Sequence, residues 1–263
     1  MLPNPLFWNV HMYGIMMALG IVAVFAVLYL YGKKVDLNLK FLDFCFYNGV
    51  FAIACGLGSA VLFQAIYNYI DNPAAGFRLD GSGGMTFIGG LIGGVAVFVG
   101  VYWLWRLYHY RKKLEPAGYI TDLLPVAACC ITVAHGFGRL GCFFAGCCYG
   151  KETDSWLGVK FPQLPHKVYP TQLYEAIFLF LLFGICSYLT LSKKQKYVMP
   201  LYLVCYGVFR FAIEFLRGDQ RGQFVAGLSP SQFWSVCIVL FGVGLFFVLR
   251  AIYAKRERKE TAA

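Results

Sequence analysis

Charge is what this sequence has least of. Only 14% of its 263 residues are Asp, Glu, Lys or Arg, where a soluble domain carries about 25%. The acidic share is the smaller one, 13 residues against 23 basic, and only four histidines occur. So few charges cannot clothe a water-facing surface, which excludes a soluble globular fold. Also missing is any Lys or Arg ahead of the first apolar run. Without that basic region the run is not expected to be a cleavable signal peptide. No repeat of about 20 to 50 residues is present, which excludes a solenoid. No basic face interleaves with aromatics as a nucleic-acid surface would, so no nucleic-acid partner is expected. The ten cysteines fall into no regular framework and no paired CxxC doublets, so neither a disulfide scaffold nor a zinc ribbon is expected.

What is present is apolar. Hydrophobic residues make up 59% of the chain, with 25 Phe and 18 Tyr. Several runs approach the roughly 20 residues that a helix needs to cross a bilayer. The expectation is an all-α polytopic membrane protein, 1–263 forming a single transmembrane domain. Seven spans are predicted, near 11–31, 44–67, 86–105, 120–137, 172–191, 199–216 and 233–253. With the N-terminus outside, fifteen Lys and Arg fall in cytoplasmic segments: Lys33, Lys34, Lys40, Arg106, Arg111, Lys112, Lys113, Lys193, Lys194, Lys196, Arg250, Lys255, Arg256, Arg258 and Lys259. Seven fall outside: Arg78, Arg139, Lys151, Lys160, Lys167, Arg217 and Arg221. That bias predicts an outer N-terminus and a cytoplasmic C-terminus, the tail "KRERKE" being a solvated end. The segment 138–171 then forms an outer-face motif and loop, long for a helix connection and with three prolines.

The third span carries a ladder of small residues at Gly89, Gly90, Gly93 and Gly94. It permits close helix packing, or alternatively backbone approach to a lipid head group. In the sixth span, "YGVFRFAIEFLRGDQRG", Arg210, Glu214 and Arg217 are spaced i, i+4 and i+7, with Tyr206 on the same stripe. Guanidinium inside a membrane is costly and suits a phosphate gripped by two parallel hydrogen bonds. The alternative is a structural Arg–Glu pair with Arg217 reaching to the surface. Arg139 opens "GRLGCFFAGCCYGK", and Glu175 closes "YPTQLYE" from the same side. Asp122 reads as a helix-start residue. His11 and His135 read as bases or as hydrogen-bonded structural groups. Cys45, Cys55, Cys129, Cys130, Cys186, Cys205 and Cys237 lie in apolar runs, where a thiol packs as a small hydrophobe. Cys142, Cys147 and Cys148 stand apart, beside Arg139 and Lys151. Wall packing, a disulfide, a reactive thiol and a metal are the open readings there, and packing with no metal is the expectation.

Five motifs, in this order, resemble the bacterial phosphatidylglycerol–prolipoprotein diacylglyceryl transferase family over nearly the whole chain. "HMYGIMMALGI" looks like its first-span motif and places Tyr13. "GGMTFIGGLIGG" looks like its glycine-rich third span. "GRLGCFFAGCCYG" is similar to its Gly-Arg-x-Gly-Asn signature and puts Arg139 at the essential arginine. "YPTQLYE" places Glu175, and "YGVFRFAIEFLR" places Tyr206, Arg210 and Glu214. The resemblance implies catalytic roles for Arg139, Arg210, Tyr13 and Glu214. It implies substrate binding by Tyr206, Glu175, Gly138, Gly141, Cys142 and Cys147, with no cofactor. It also implies an enzyme of the bacterial plasma membrane that moves the diacylglyceryl group of phosphatidylglycerol onto a prolipoprotein's lipobox cysteine. The thioether product releases glycerol-1-phosphate. The sequence departs from the family at a third-span histidine, here Ile88, and a second-span arginine, here Leu57. It departs again at the signature Asn, here Cys142, and at Asn-Gly-Glu, here Ala145-Gly146-Cys147. A relative with another thiol or hydroxyl acceptor, or a lipid-binding or transport protein, is the alternative.

Overall fold

A computed structural model describes residues 11–73, 76–79, 84, 86–115, 117–218 and 227–261. Among the described residues seven helices, the sixth together with its 3-10 extension, are long and apolar enough to cross a membrane. They are α1 (Met12–Lys34), α2 (Leu39–Asp71), α3 (Phe87–Arg111), α4 (Ile120–Ala145), α5 (Thr171–Leu191), α6 (Val198–Ile213) and α7 (Pro230–Glu260). A 3-10 turn, Glu214–Leu216, extends α6. Between α4 and α5 a two-stranded antiparallel ribbon pairs β1 (Val159–Lys160) with β2 (Lys167–Val168).

All seven predicted spans are helices, but several run further than the apolar stretches do. A helix needs only unbroken backbone hydrogen bonds and tolerates charge wherever its ends leave hydrocarbon. At about 1.5 Å per residue, the 31 residues of α7 reach roughly 46 Å, well past a core of about 30 Å. The "KRERKE" tail therefore forms the last turns of α7, with Lys255, Glu257, Arg258 and Lys259 exposed as a solvated end requires. Its Arg256 Nη1 donates to Asp122 Oδ1 at 2.8 Å, and Lys196 lies 3.4 Å from Glu257. Asp122 is thus an ion-pair partner at the start of α4. The second correction matters more: α4 ends at Ala145, so Arg139, Gly138 and Gly141 are helical. Only the later part of the quoted motif makes the turn.

The chain divides into two compact units, 1–36 with 120–263, and 37–119. In the larger, α4 packs against α1, α5 and α6, and α6 packs against α7. Its core includes Val126, Ala128 and Cys129 of α4, each fully buried, with Leu179 and Cys186 of α5. At one end of this unit Lys194 meets Asp36, Lys196 meets Glu257 and Arg256 meets Asp122. The opposite end carries Arg139 and the start of α5.

In the smaller unit α2 and α3 pair through the glycine ladder, and packing is what the ladder does here. Gly90 faces Gly56 and Ala60, Gly93 faces Ser59, and Gly89 faces Phe63. Ser59 Oγ also donates to the Gly89 carbonyl at 2.9 Å. A side chain at Gly93 would enter the space of Ser59. Gly93→Leu is expected to destabilise this pair by about 1–3 kcal/mol, as overpacking does. Thermal unfolding in detergent checks it, with Gly100→Ala as the control at a position open within 4 Å. Equal midpoints for the two variants would refute the packing role.

Candidate active site

Three helices meet around one carboxylate. Glu175, one turn into α5, is 1% exposed. Arg139 Nε of α4 lies 3.0 Å from its Oε1, and the Tyr206 hydroxyl of α6 donates to the same oxygen at 2.9 Å. His135, one turn before Arg139, sits 3.7 Å from that oxygen and 3.5 Å from the Tyr206 hydroxyl. Sequence spacing alone left His135 undecided; the structure puts it in the hydrogen-bonded network. His11 lies at the N-cap of α1 and is exposed.

A second carboxylate organises the end of α6. Arg210 Nη1 donates to Glu214 Oε2 at 2.7 Å, and its Nη2 donates to Ser231 Oγ of α7 at 2.9 Å. Ser229 Oγ donates to Glu214 Oε1 at 3.0 Å while accepting the Gln232 amide in the capping box of α7. The structural reading of the Arg–Glu pair therefore holds in part, since the pair ties α6 to α7. Arg217 does not reach to the surface: it is 7% exposed, 3.9 Å from Glu214, and its backbone bridges to Gly150. Its place beyond the α-helix comes from the 3-10 turn, which ends the regular i, i+4, i+7 stripe at Glu214. Tyr206, which donates to Glu175, stands one turn before Arg210 on α6, so the two carboxylate centres adjoin along that helix. Among these side chains three guanidiniums face two carboxylates. Ser229 and Ser231 were not legible as site residues, because only the capping box and the α6–α7 packing bring them there.

The thiol turn follows from how α4 stops. Gly146 adopts φ +69°, its amide bonds to Phe143 O, and the Cys147 amide bonds to Cys142 O, both at 3.1 Å. That pair of bonds is a Schellman ending, which sets the residue after the glycine beside the one five earlier. Cys147 is thereby folded back onto Cys142. Cys148, at φ +63°, turns the chain again and brings in a third thiol. The three sulfurs lie within 4.8 Å of one another. The start of α5 clamps the turn: Gln172 Nε2 donates to Cys147 O and Thr171 Oγ1 to Cys148 O, each at 2.9 Å. Gly150 and Lys151 donate to Tyr169 O and Leu216 O at 2.8 Å. Cys148 was singled out with Cys142 and Cys147 but given no substrate-binding role, and Thr171 and Gln172 were not singled out, although "YPTQLYE" contains both. Gly138 and Gly141 face α1, with Met17 and the Tyr13 ring over them. A Cβ at Gly141 would come within 3.1 Å of that ring, so this glycine sets how closely Tyr13 approaches Arg139's helix. Leu57 and Ile88 belong to the smaller unit, where Leu57 is exposed.

Outside the spans, two groups shift. The Cys148 thiol is held well below its ordinary range, first by hydrogen bonds from Cys142 and then Cys147, with the charges of Arg217 and Arg139 adding to them. Cys147 is pushed up: the Cys142 thiol lowers it, but its bond to Cys148 and burial outweigh that.

Comparison with known proteins gives a consistent result. The model of the family described as prolipoprotein diacylglyceryl transferase matches residues 5–248. A phosphatidylglycerol–prolipoprotein diacylglyceryl transferase of Clostridium tetani is 38% identical, covering 92% of this chain and 94% of that protein. The second such protein of Clostridium perfringens is 32% identical, covering 96% and 94%. One from Stenotrophomonas maltophilia is 31% identical, covering 92% and 88%.

The lowered Cys148 predicts an unusual pH profile. Its thiolate persists to lower pH than that of an ordinary thiol, so in reduced, chelator-treated protein its alkylation by iodoacetamide should begin to fall only at lower pH than an ordinary thiol's. A thiol of ordinary pKa, about 8.5, loses close to tenfold per unit below it. Peptide mapping by mass spectrometry reads this out, and a tenfold-per-unit fall at Cys148 that begins where an ordinary thiol's does would remove the thiolate assignment.

Proposed function

We infer the activity from family and geometry together: the chain belongs to the prolipoprotein diacylglyceryl transferase family, and it transfers the diacylglyceryl group of phosphatidylglycerol to a prolipoprotein. It is a multi-pass membrane transferase. In our reading the acceptor atom is the thiol of the lipobox cysteine. Sulfur attacks the terminal glyceryl carbon, the bond from that carbon to the phosphate oxygen breaks, and a thioether forms. Glycerol-1-phosphate leaves with the electron pair, and the thiol proton passes to solvent or to the departing phosphate.

The electrostatics of that step decide which residues matter. The phosphate begins as a diester with one negative charge and departs as a monoester approaching two. Only groups that bind the second state more tightly speed the reaction. Fixed guanidiniums do so, because they need no reorganisation as charge develops. We assign this task to Arg139 and Arg210, and the observation that carries it is their preorganisation by Glu175 at 3.0 Å and Glu214 at 2.7 Å. For the five side chains Arg139, Arg210, Arg217, Glu175 and Glu214 the formal charge is +1, which a bound phosphodiester brings to zero. Tyr206 steadies Glu175 from α6. Tyr13, seated on Gly141 with Gly138 one turn away, forms the wall beside Arg139. Cys142 and Cys147 continue that wall toward the acceptor.

We place this site toward the outer face of the bacterial plasma membrane, with the C-terminus in the cytoplasm. The Lys/Arg bias supports it, as does the grouping of Lys194, Lys196 and Arg256 pairs at the end of the larger unit away from Arg139. A membrane-impermeant maleimide should label Lys160→Cys, at an exposed position of the ribbon, in intact cells but reach Glu260→Cys only after permeabilisation. The opposite pattern would reverse the topology.

Arg→Lys keeps the charge but loses the planar fork. Arg139→Lys and Arg210→Lys are each expected to lose about ten- to hundredfold in turnover, from about 1.5–3 kcal/mol for a charge-assisted bond. Release of glycerol phosphate from phosphatidylglycerol in the presence of a lipobox peptide measures it. Lysine variants with unchanged turnover would leave both arginines structural. Release without peptide modification would point to another acceptor.

A further inference from the structure

The thiol cluster has more order than wall packing requires. Three free thiols from seven consecutive residues converge to within 4.8 Å. A zinc–thiolate bond of about 2.3 Å puts sulfurs of a tetrahedral site roughly 3.8 Å apart, so a small contraction closes three of its corners. Convergence is set by the backbone as well as by the thiols' own hydrogen bonds. The Schellman ending sets Cys147 against Cys142, and the side chains of Thr171 and Gln172 hold the two following carbonyls. The sulfurs are left facing one another, supported by backbone and by a neighbouring helix, as a preorganised ligand set would be. Cys148 also occupies left-handed φ space, which costs a side-chain-bearing residue about 1–2 kcal/mol. A residue that only filled space could be glycine there.

Charge and access agree. Three thiolates around a divalent cation carry a net single negative charge, and Arg217 and Arg139 both act electrostatically on Cys148. Among the described residues no fourth His, Cys, Asp or Glu joins the group, and Cys147 is exposed. Three protein ligands and an open position is the pattern of a zinc site that takes an exchangeable ligand, rather than of a closed structural one. Arg139 stands one turn before Cys142 on the same helix, so an ion held here would lie beside the phosphate-binding end of the site.

We propose that Cys142, Cys147 and Cys148 bind one zinc-class thiophilic cation whose fourth position takes the thiol of the acceptor peptide. The second half rests on the transferase reading above. A free thiol with pKa about 8.5 is only a few per cent ionised at pH 7; a metal-bound thiol is deprotonated outright. The acceptor thiol displaces water from the ion and gives its proton to solvent. The bound sulfur then attacks the glyceryl carbon while the phosphate leaves with the carbon–oxygen pair. The neutral thioether dissociates and water returns to the ion.

The test uses the full chain, reduced and anaerobic in lipid nanodiscs, with cobalt(II) as the spectroscopic probe. One equivalent per chain should bind with an intense sulfur-to-cobalt charge-transfer band. Cys147→Ala and Cys148→Ala should lose that band, and Arg139→Lys should keep it. A lipobox cysteine peptide should strengthen the band, and its serine counterpart should not. With no mutation at all, chelated protein should lose at least about tenfold in peptide alkylation at pH 7 and regain it with one equivalent of zinc. The loss should shrink near pH 9, where the peptide thiol ionises unaided. Failure to bind cobalt, or a disulfide among the three cysteines in anaerobically isolated protein, overturns the site. A band indifferent to the cysteine peptide, or alkylation unaffected by chelation, overturns the fourth-position role. If the peptide alters the band but no glycerol phosphate is released from phosphatidylglycerol, the transferase reading fails and the metal site stands.

Discussion

The site depends on one buried carboxylate. Glu175 is almost wholly removed from solvent, where an uncompensated charge would be costly. It is tolerated because Arg139 of α4 and Tyr206 of α6 both meet Oε1. One oxygen thus fixes three helices relative to one another at the end to which we assign the chemistry. Removing it would leave the Arg139 guanidinium half-buried without its partner, a change of about 3–5 kcal/mol in comparable pairs. The carboxylate therefore both holds the fold and aims the arginine, and the two roles are not separable in energy.

The same end of the protein solves a backbone problem. A helix that stops inside a packed region leaves its last carbonyls without partners. The Gly146 turn supplies amides to two of them, and the start of α5 supplies side-chain donors to the carbonyls of Cys147 and Cys148. Gly150 allows the next close approach, since a Cβ there would come within 2.5 Å of the Leu216 carbonyl. The segment is thus held between α5 and the end of α6. The thiols are brought together as a consequence of how α4 is ended, next to an arginine that the same helix delivers one turn earlier.

Much of this was legible in the amino acids. Apolar runs of sufficient length make seven helices because backbone polar groups must be satisfied internally in hydrocarbon, and no detail of packing changes that. The pairing of Arg210 with Glu214 was equally readable, since i, i+4 spacing on a helix places side chains side by side. The glycine ladder of α3 announced close packing, though only the structure shows that Gly56, Ser59, Ala60 and Phe63 of α2 are what it meets. The five motifs identified the family before any contact was known.

What sequence spacing could not decide was everything separated by many residues or by a helix ending. Glu175 and Arg139 are 36 positions apart, and nothing local says which arginine the carboxylate will serve. Ser229 and Ser231 reach Glu214 and Arg210 only because α7 packs on α6. The run from Gly138 to Lys151 reads as one glycine-rich turn, yet its first half is helix and its second half a clamped reversal. Glycine permits both, and α1 and α5 choose between them. Composition and periodicity determined the helices, because their hydrogen bonds are local. The tertiary structure alone determined the carboxylate network and the thiol cluster, because their energies come from partners that only folding brings within reach.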